Sequence, residues 1–146
     1  MMSRNENAMG PFRISVPKTY AASPERVFRA WTDPSHAKVW LAEGGDAVMD
    51  ARPDGLFYLG MLRNGAMRPH YGRYLRVESP RLLEFTWVSE HTRGKESVVT
   101  IEFTPRGGQT DVCLTHEGLP DEEMAMAHTG GWTYFLDALS GQVVQG

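Results

Sequence analysis

Apolar and polar positions along the chain change their period twice. From Phe12 to Ala22 (FRISVPKTYAA) β-branched and aromatic residues dominate, which predicts a first strand. Pro17 within it lacks a backbone donor and points to a sheet edge or a bulge. Ser23-Pro24-Glu25 then predicts a helix start. Ser serves as N-cap, Pro takes the first helical position, and an acid sits at the positive end of the dipole. Val27, Phe28 and Trp31 recur on one face of that helix. Thr32-Asp33-Pro34 breaks it, and Pro34–Leu41 predicts a second short helix carrying Val39, Trp40 and Leu41.

After Gly44-Gly45 the period becomes two. Ala47–Arg52, Gly55–Arg63 and Met67–Val77 read as strands. The last two are joined by Asn64-Gly65, a pair that tolerates the positive φ of a type I′ hairpin. Ser79-Pro80 turns the chain into Leu82–Val88, where Leu83, Phe85 and Trp87 share a face, and His91–Gly94 reads as a loop. In Ser97–Thr104, Val99, Ile101 and Phe103 point one way. Across a hairpin at Pro105–Gly108, Val112, Leu114 and His116 do the same in Thr110–His116. From Pro120 onward the period returns to 3.6 residues. Met124, Ala127, His128, Gly131, Trp132, Phe135, Leu136, Leu139 and Val143 form one apolar stripe, preceded by acids that suit a helix start. The order strand, two short helices, about six antiparallel strands and a long C-terminal helix predicts an α+β fold with a curved sheet wrapped around the last helix.

Composition narrows the function classes. A chain of 146 residues fits one domain. Residues 1–10 are expected to be a disordered tail and 11–145 a single domain. The single cysteine, Cys113, allows neither an internal disulfide nor a multi-cysteine zinc site. Fifteen basic against eighteen acidic side chains leave a net charge of -3, which argues against nucleic acid or an anionic membrane as partner. No stretch approaches the ~20 apolar residues of a membrane span, and no signal-peptide pattern opens the chain. With a free cysteine, this favours the cytoplasm. The chain contains no G-x-S-x-G, H-E-x-x-H, P-loop or G-x-G-x-x-G pattern, so the common hydrolases, zincins, NTPases and dinucleotide enzymes lose their signatures.

Several strings resemble the activator of heat-shock protein 90 ATPase homologue-like (AHSA-type) family, within the START-like (SRPBCC, Bet v 1-like) superfamily. They are Ser23-Pro24-Glu25-Arg26-Val27-Phe28-Arg29-Ala30-Trp31-Thr32-Asp33-Pro34, Val39-Trp40, Gly55-Leu56-Phe57, Gly72-Arg73-Tyr74, Ser79-Pro80-Arg81-Leu82-Leu83-Glu84-Phe85-Thr86-Trp87, Val98–Pro105, Leu114–Gly118 and Gly131-Trp132. The resemblance implies a helix-grip fold with a cavity between sheet and C-terminal helix. Across the superfamily such cavities take apolar or amphipathic small molecules. Relatives include lipid carriers, cyclases and aromatases, stress-linked and resistance proteins, and a eukaryotic co-chaperone domain. Two departures are Trp40-Leu41, where the family often has paired aromatics, and Asp54-Gly55, where it has a Gly pair.

The expected cavity lining is Trp40, Phe57, Met61, Tyr74, Leu83, Phe85, Trp87, Ile101, Leu114, His116, His128, Trp132 and Phe135, which makes the domain partly hollow. The expected occupant is an apolar or aromatic small molecule, with no cofactor and no metal, since two histidines alone lack further ligands at metal spacing. His116 admits two readings. It is either a cavity acid–base partnered by Tyr74, as in a cyclase, or a core histidine bonded to backbone or to Glu117. His128 is either a cavity group or a histidine at a wet mouth. Tyr74 and His70 share one face of their strand and Tyr71 takes the other. Gly130-Gly131 inside the helical stripe reads as close packing or a kink, or as an opening of the mouth. Arg63, Arg68, Arg73, Arg76 and Arg81 form either a solvated face or an anion-attracting rim. A homodimer is compatible with the family, and chaperone binding is the least favoured partner.

Overall fold

The computed structural model describes residues 10–143. The expected tail lies outside them except for Gly10, whose N–H donates to the Gly118 carbonyl at 2.9 Å. Strand β1 (Phe12–Tyr20) pairs antiparallel with the last strand, so Pro17 does sit on a sheet edge. Helix α1 (Pro24–Thr32) begins where the capping pattern places it: Ser23 Oγ accepts from the Arg26 amide and Pro24 opens the first turn. Asp33 ends α1 and caps α2 (Pro34–Trp40) in one residue, its carboxylate accepting from the Ser35 N–H at 2.9 Å. In α2 only part of the expected apolar set turns inward. Ala37 and Trp40 are buried while Val39 is 56% exposed, because a seven-residue helix has one inward stripe and Val39 falls off it.

The meander follows as β2 (Asp46–Met49), β3 (Leu56–Arg63), β4 (Ala66–Glu78), β5 (Leu82–Trp87), β6 (Ser97–Arg106) and β7 (Gln109–Leu119). All seven strands form one curved antiparallel sheet in the order β1-β7-β6-β5-β4-β3-β2. Asn64 and Gly65 both take positive φ, as a type I′ turn between β3 and β4 requires. The loop after β5 holds a single 3-10 turn, Glu90–Thr92, that sequence pattern alone leaves irregular. Its capping box joins Ser89 and Thr92.

Helix α3 (Glu122–Val143) lies across the sheet, tied to β1 where the buried Tyr20 hydroxyl donates to the Leu136 carbonyl at 2.7 Å. Between sheet and helix the aromatic side chains interlock. Trp31 packs edge-on to Trp40 at 4.7 Å and lies 6.0 Å from Trp132, and Phe57 meets Phe85 edge-on at 5.4 Å. Trp40 Nε1 donates to the Ala30 carbonyl at 2.9 Å, closing α2 onto α1. The centre expected to be hollow is therefore filled. A void of about 10 Å³ remains there, bounded by Trp31, Phe57, Tyr74, Phe85 and Trp87 among others. Dispersion contacts explain the filling: large flat rings packed against one another recover more contact than an empty interior would leave.

Candidate functional site

The larger space lies at one end of the grip. It is a solvent-open pocket of about 330 Å³ where the β3–β4 hairpin, the 3-10 turn and the first half of α3 converge. Met61, Arg63 and Asn64 come from β3 and its turn, Arg68 and His70 from β4, and Trp87 from the end of β5. Glu90 and His91 come from the 3-10 turn, and Ala127, His128, Gly131, Trp132 and Phe135 from the helix. Strand parity explains the sheet wall: β4 turns His70 and Tyr74 inward and leaves Tyr71 half exposed.

The thirteen residues expected to line one cavity divide into three groups. Met61, Trp87, His128, Trp132 and Phe135 face the open pocket. Phe57, Tyr74 and Phe85, with Trp87, border the small central void. Trp40, Leu83, Ile101, Leu114 and His116 border neither space and belong to the packed core. His116 and Tyr74 are thus not brought to a common point.

His116 is fully buried, and both ring nitrogens are engaged, though not by Glu117 or backbone. The Trp132 indole N–H donates to Nδ1 at 3.0 Å, and Nε2 lies 2.8 Å from Ser97 Oγ. Because an indole nitrogen only donates, Nδ1 is the acceptor and Nε2 carries the proton. Ser97 Oγ accepts that proton's hydrogen bond and donates to the Trp87 carbonyl at 2.6 Å. Burial, aided by the neighbouring His128, holds the His116 pKa well below the usual histidine value.

The pocket's own histidines are differently placed. His70 Nδ1 lies 3.0 Å from the Arg68 carbonyl and His128 Nδ1 lies 2.8 Å from the Met124 carbonyl. Burial lowers both pKa values, that of His70 to about 4. Trp87 stacks tilted against His70 at 5.1 Å and against Trp132 at 5.0 Å, giving the pocket an aromatic floor.

Charge at the rim is paired. Arg63 meets Glu43 at 2.6 Å with its guanidinium 5.6 Å from the Phe135 ring centre, and Arg68 meets Glu90 at 3.2 Å. Arg73, Arg76 and Arg81 also have acidic partners, so the five-arginine cluster is a neutralised face rather than an anion-attracting rim. Among the described residues no three His, Cys, Asp or Glu side chains converge to hold a metal ion, and no helix is long and apolar enough to cross a membrane.

Gly131 corrects the close-packing reading of the glycine pair. A Cβ at Gly130 or Gly131 would meet nothing within 4 Å. Helix α3 runs unbroken through both. Gly131 borders the pocket, so the missing side chain leaves the pocket wider, whereas nothing in the structure explains Gly130. Glu90, His91 and Ala127 were not legible as pocket residues. The first two stand in a segment without periodicity, and Ala127 is one small member of a long apolar stripe.

The family model described as "Activator of Hsp90 ATPase homolog 1-like protein" matches residues 21–143. Among solved structures, CalU16 from Micromonospora echinospora is similar at 28% identity and a TM-score of 0.74, covering 90% of this chain and 75% of that one. Protein CV1439 from Chromobacterium violaceum is similar at 26% identity and a TM-score of 0.76, covering 90% of this chain and 96% of that one. PFC0360w, an HSP90 activator from Plasmodium falciparum, is similar in fold at 22% identity and a TM-score of 0.74, covering 87% and 92%. Among curated proteins nothing matches the chain in sequence.

Proposed function

Because this chain belongs to the Activator of Hsp90 ATPase homolog 1-like family, with its START-like helix-grip fold, we propose that it binds a small organic molecule with an aromatic or apolar body. The site is the end pocket rather than the centre of the grip. The observation carrying this reading is the pocket of about 330 Å³ floored by Trp87, Trp132, Phe135 and Met61 and bordered by a helical glycine. That volume lies at the lower end of small-molecule sites, and an apolar floor with a few polar groups is their usual make-up. Gly131 supports the reading independently. A glycine costs a helix interior about 1 kcal/mol relative to Ala, and no neighbour crowds this one.

Acid–base catalysis of the cyclase kind is less well supported. His116 has both nitrogens engaged inside the core. His70, with a pKa near 4, is a weak base. Neutral imidazoles of this sort suit recognition better than proton abstraction.

Native mass spectrometry of the purified protein, wild type beside Gly131→Phe, tests the proposal. The wild type should carry a co-purified small molecule, and the variant, whose ring fills the pocket, should not. Equal occupancy in both would place the ligand elsewhere and overturn the assignment.

A further inference from the structure

Two histidines enter the pocket from opposing walls in the same tautomeric state. His70 comes from the sheet and His128 from the helix, and the Nδ1 of each is bonded to a backbone carbonyl, of Arg68 and Met124 respectively. A carbonyl oxygen only accepts, so each Nδ1 must carry the proton, and each neutral ring is left with a lone pair on Nε2. Among the described residues the hydrogen bonds of both rings run through Nδ1, and neither Nε2 bonds to a protein group. His116 does not compete for a ligand, since its own nitrogens are bonded to Ser97 and Trp132.

The charged groups around these rings do not supply a net field. Arg68 is paired with Glu90, and Arg63 with Glu43. His91 stands edge-on to His128 at 6.3 Å and is exposed. Protonation of His70 is disfavoured first by desolvation and then by the nearby His91 and His128, and protonation of His128 by desolvation and by His91. The interior of the pocket thus offers aromatic faces and two acceptors, beside a single unpaired buried donor, the Trp87 indole N–H of its floor.

Resting on the binding reading above, the geometry points to a ligand that is a neutral planar aromatic bearing hydrogen-bond donors, hydroxyl or N–H, one to His70 Nε2 and one to His128 Nε2. A carboxylate would turn its oxygens toward two lone pairs and the Glu90 side chain. An ether or ketone would leave both acceptors desolvated and unpaired, a loss of the kind that makes hydrogen-bonding sites reject analogues lacking the group.

Calorimetric titration with three naphthalene probes near neutral pH tests this: a naphthalenediol, its dimethoxy ether and a naphthoate. The diol should bind at least about tenfold more tightly than either of the others. In His128→Asn, which keeps a donor for the Met124 carbonyl but removes Nε2, the diol's advantage over the ether should shrink several-fold. Nitrogen-15 NMR of the wild type should show the Nε2 signals of His70 and His128 shifting with the diol alone. If the ether matches the diol, or the naphthoate binds most tightly, the donor requirement is wrong while the pocket remains a binding site. If no probe binds wild type any better than Gly131→Phe, the binding reading itself fails.

Discussion

The indole N–H of Trp132 donates to Nδ1 of His116 at 3.0 Å, linking the C-terminal helix to β7 in the interior of the protein. This one bond sets the tautomer of a fully buried histidine and, through it, the direction of the chain His116–Ser97–Trp87. A residue with the appearance of a catalytic base is thereby a fastening between helix and sheet.

Ser97→Ala isolates that fastening, since it removes one oxygen and almost no volume. The His116 Nε2–H and the Trp87 carbonyl would both lose a partner in a buried setting. The expected cost is about 1–3 kcal/mol, read as a lower urea midpoint at unchanged slope. An unchanged midpoint would mean that the buried network contributes nothing.

Acid should destabilise the fold before its carboxylates titrate. His70 has a folded pKa near 4 against an ordinary 6.5, so between those values the unfolded chain binds more protons and stability rises with pH. Its contribution is fully present above 6.5 and is lost as pH falls toward 4, amounting to about 3 kcal/mol over the window. His116 and His128 act in the same direction, their pKa values also being lowered by burial. Asp33, Asp111 and Asp121 are held below their ordinary 3.8, so their losses come at lower pH. Urea midpoints measured through the window should fall for the wild type and fall less steeply for His70→Asn, which keeps the donor to Arg68.

Replacing the glycines of α3 should stabilise the protein. Gly130→Ala and Gly131→Ala place a methyl where nothing stands within 4 Å, and each should add about 1 kcal/mol of helix stability. Only the second narrows the pocket. A thermal melt of each variant checks the direction, and a drop for either would reveal a constraint on that backbone.

Gly72 should behave oppositely. A Cβ there would overlap the Thr86 carbonyl oxygen of the neighbouring strand and lie 2.9 Å from Phe57 Cε2. Backbone cannot yield as a flexible side chain can, so Gly72→Ala should cost about 3 kcal/mol. Urea unfolding beside Gly131→Ala gives the contrast directly.

Most of the fold was legible because local rules and global packing agree. Ser23-Pro24 started α1, Asn64-Gly65 made its hairpin, and parity turned Leu83, Phe85, Trp87, Val99, Ile101, Leu114 and His116 inward. Val39 escaped because a short helix offers too few positions for periodicity to separate an inward from an outward neighbour.

The candidate site was less legible. Sequence by itself determined a fold of α+β type, which faces of its strands are apolar, and which stripe of α3 meets them, because side-chain direction follows from the periods of strand and helix. It could not determine how full the space between those faces is. That depends on how Trp31, Trp40, Phe57 and Phe85 interlock, and they close the centre to a void of about 10 Å³. Only the tertiary structure moved the open space to the end of the grip, where Arg68, His91 and Gly131, far apart along the chain, come together. Only there, too, do backbone carbonyls and an indole N–H decide which nitrogen of each histidine bears the proton, and so which can meet a ligand.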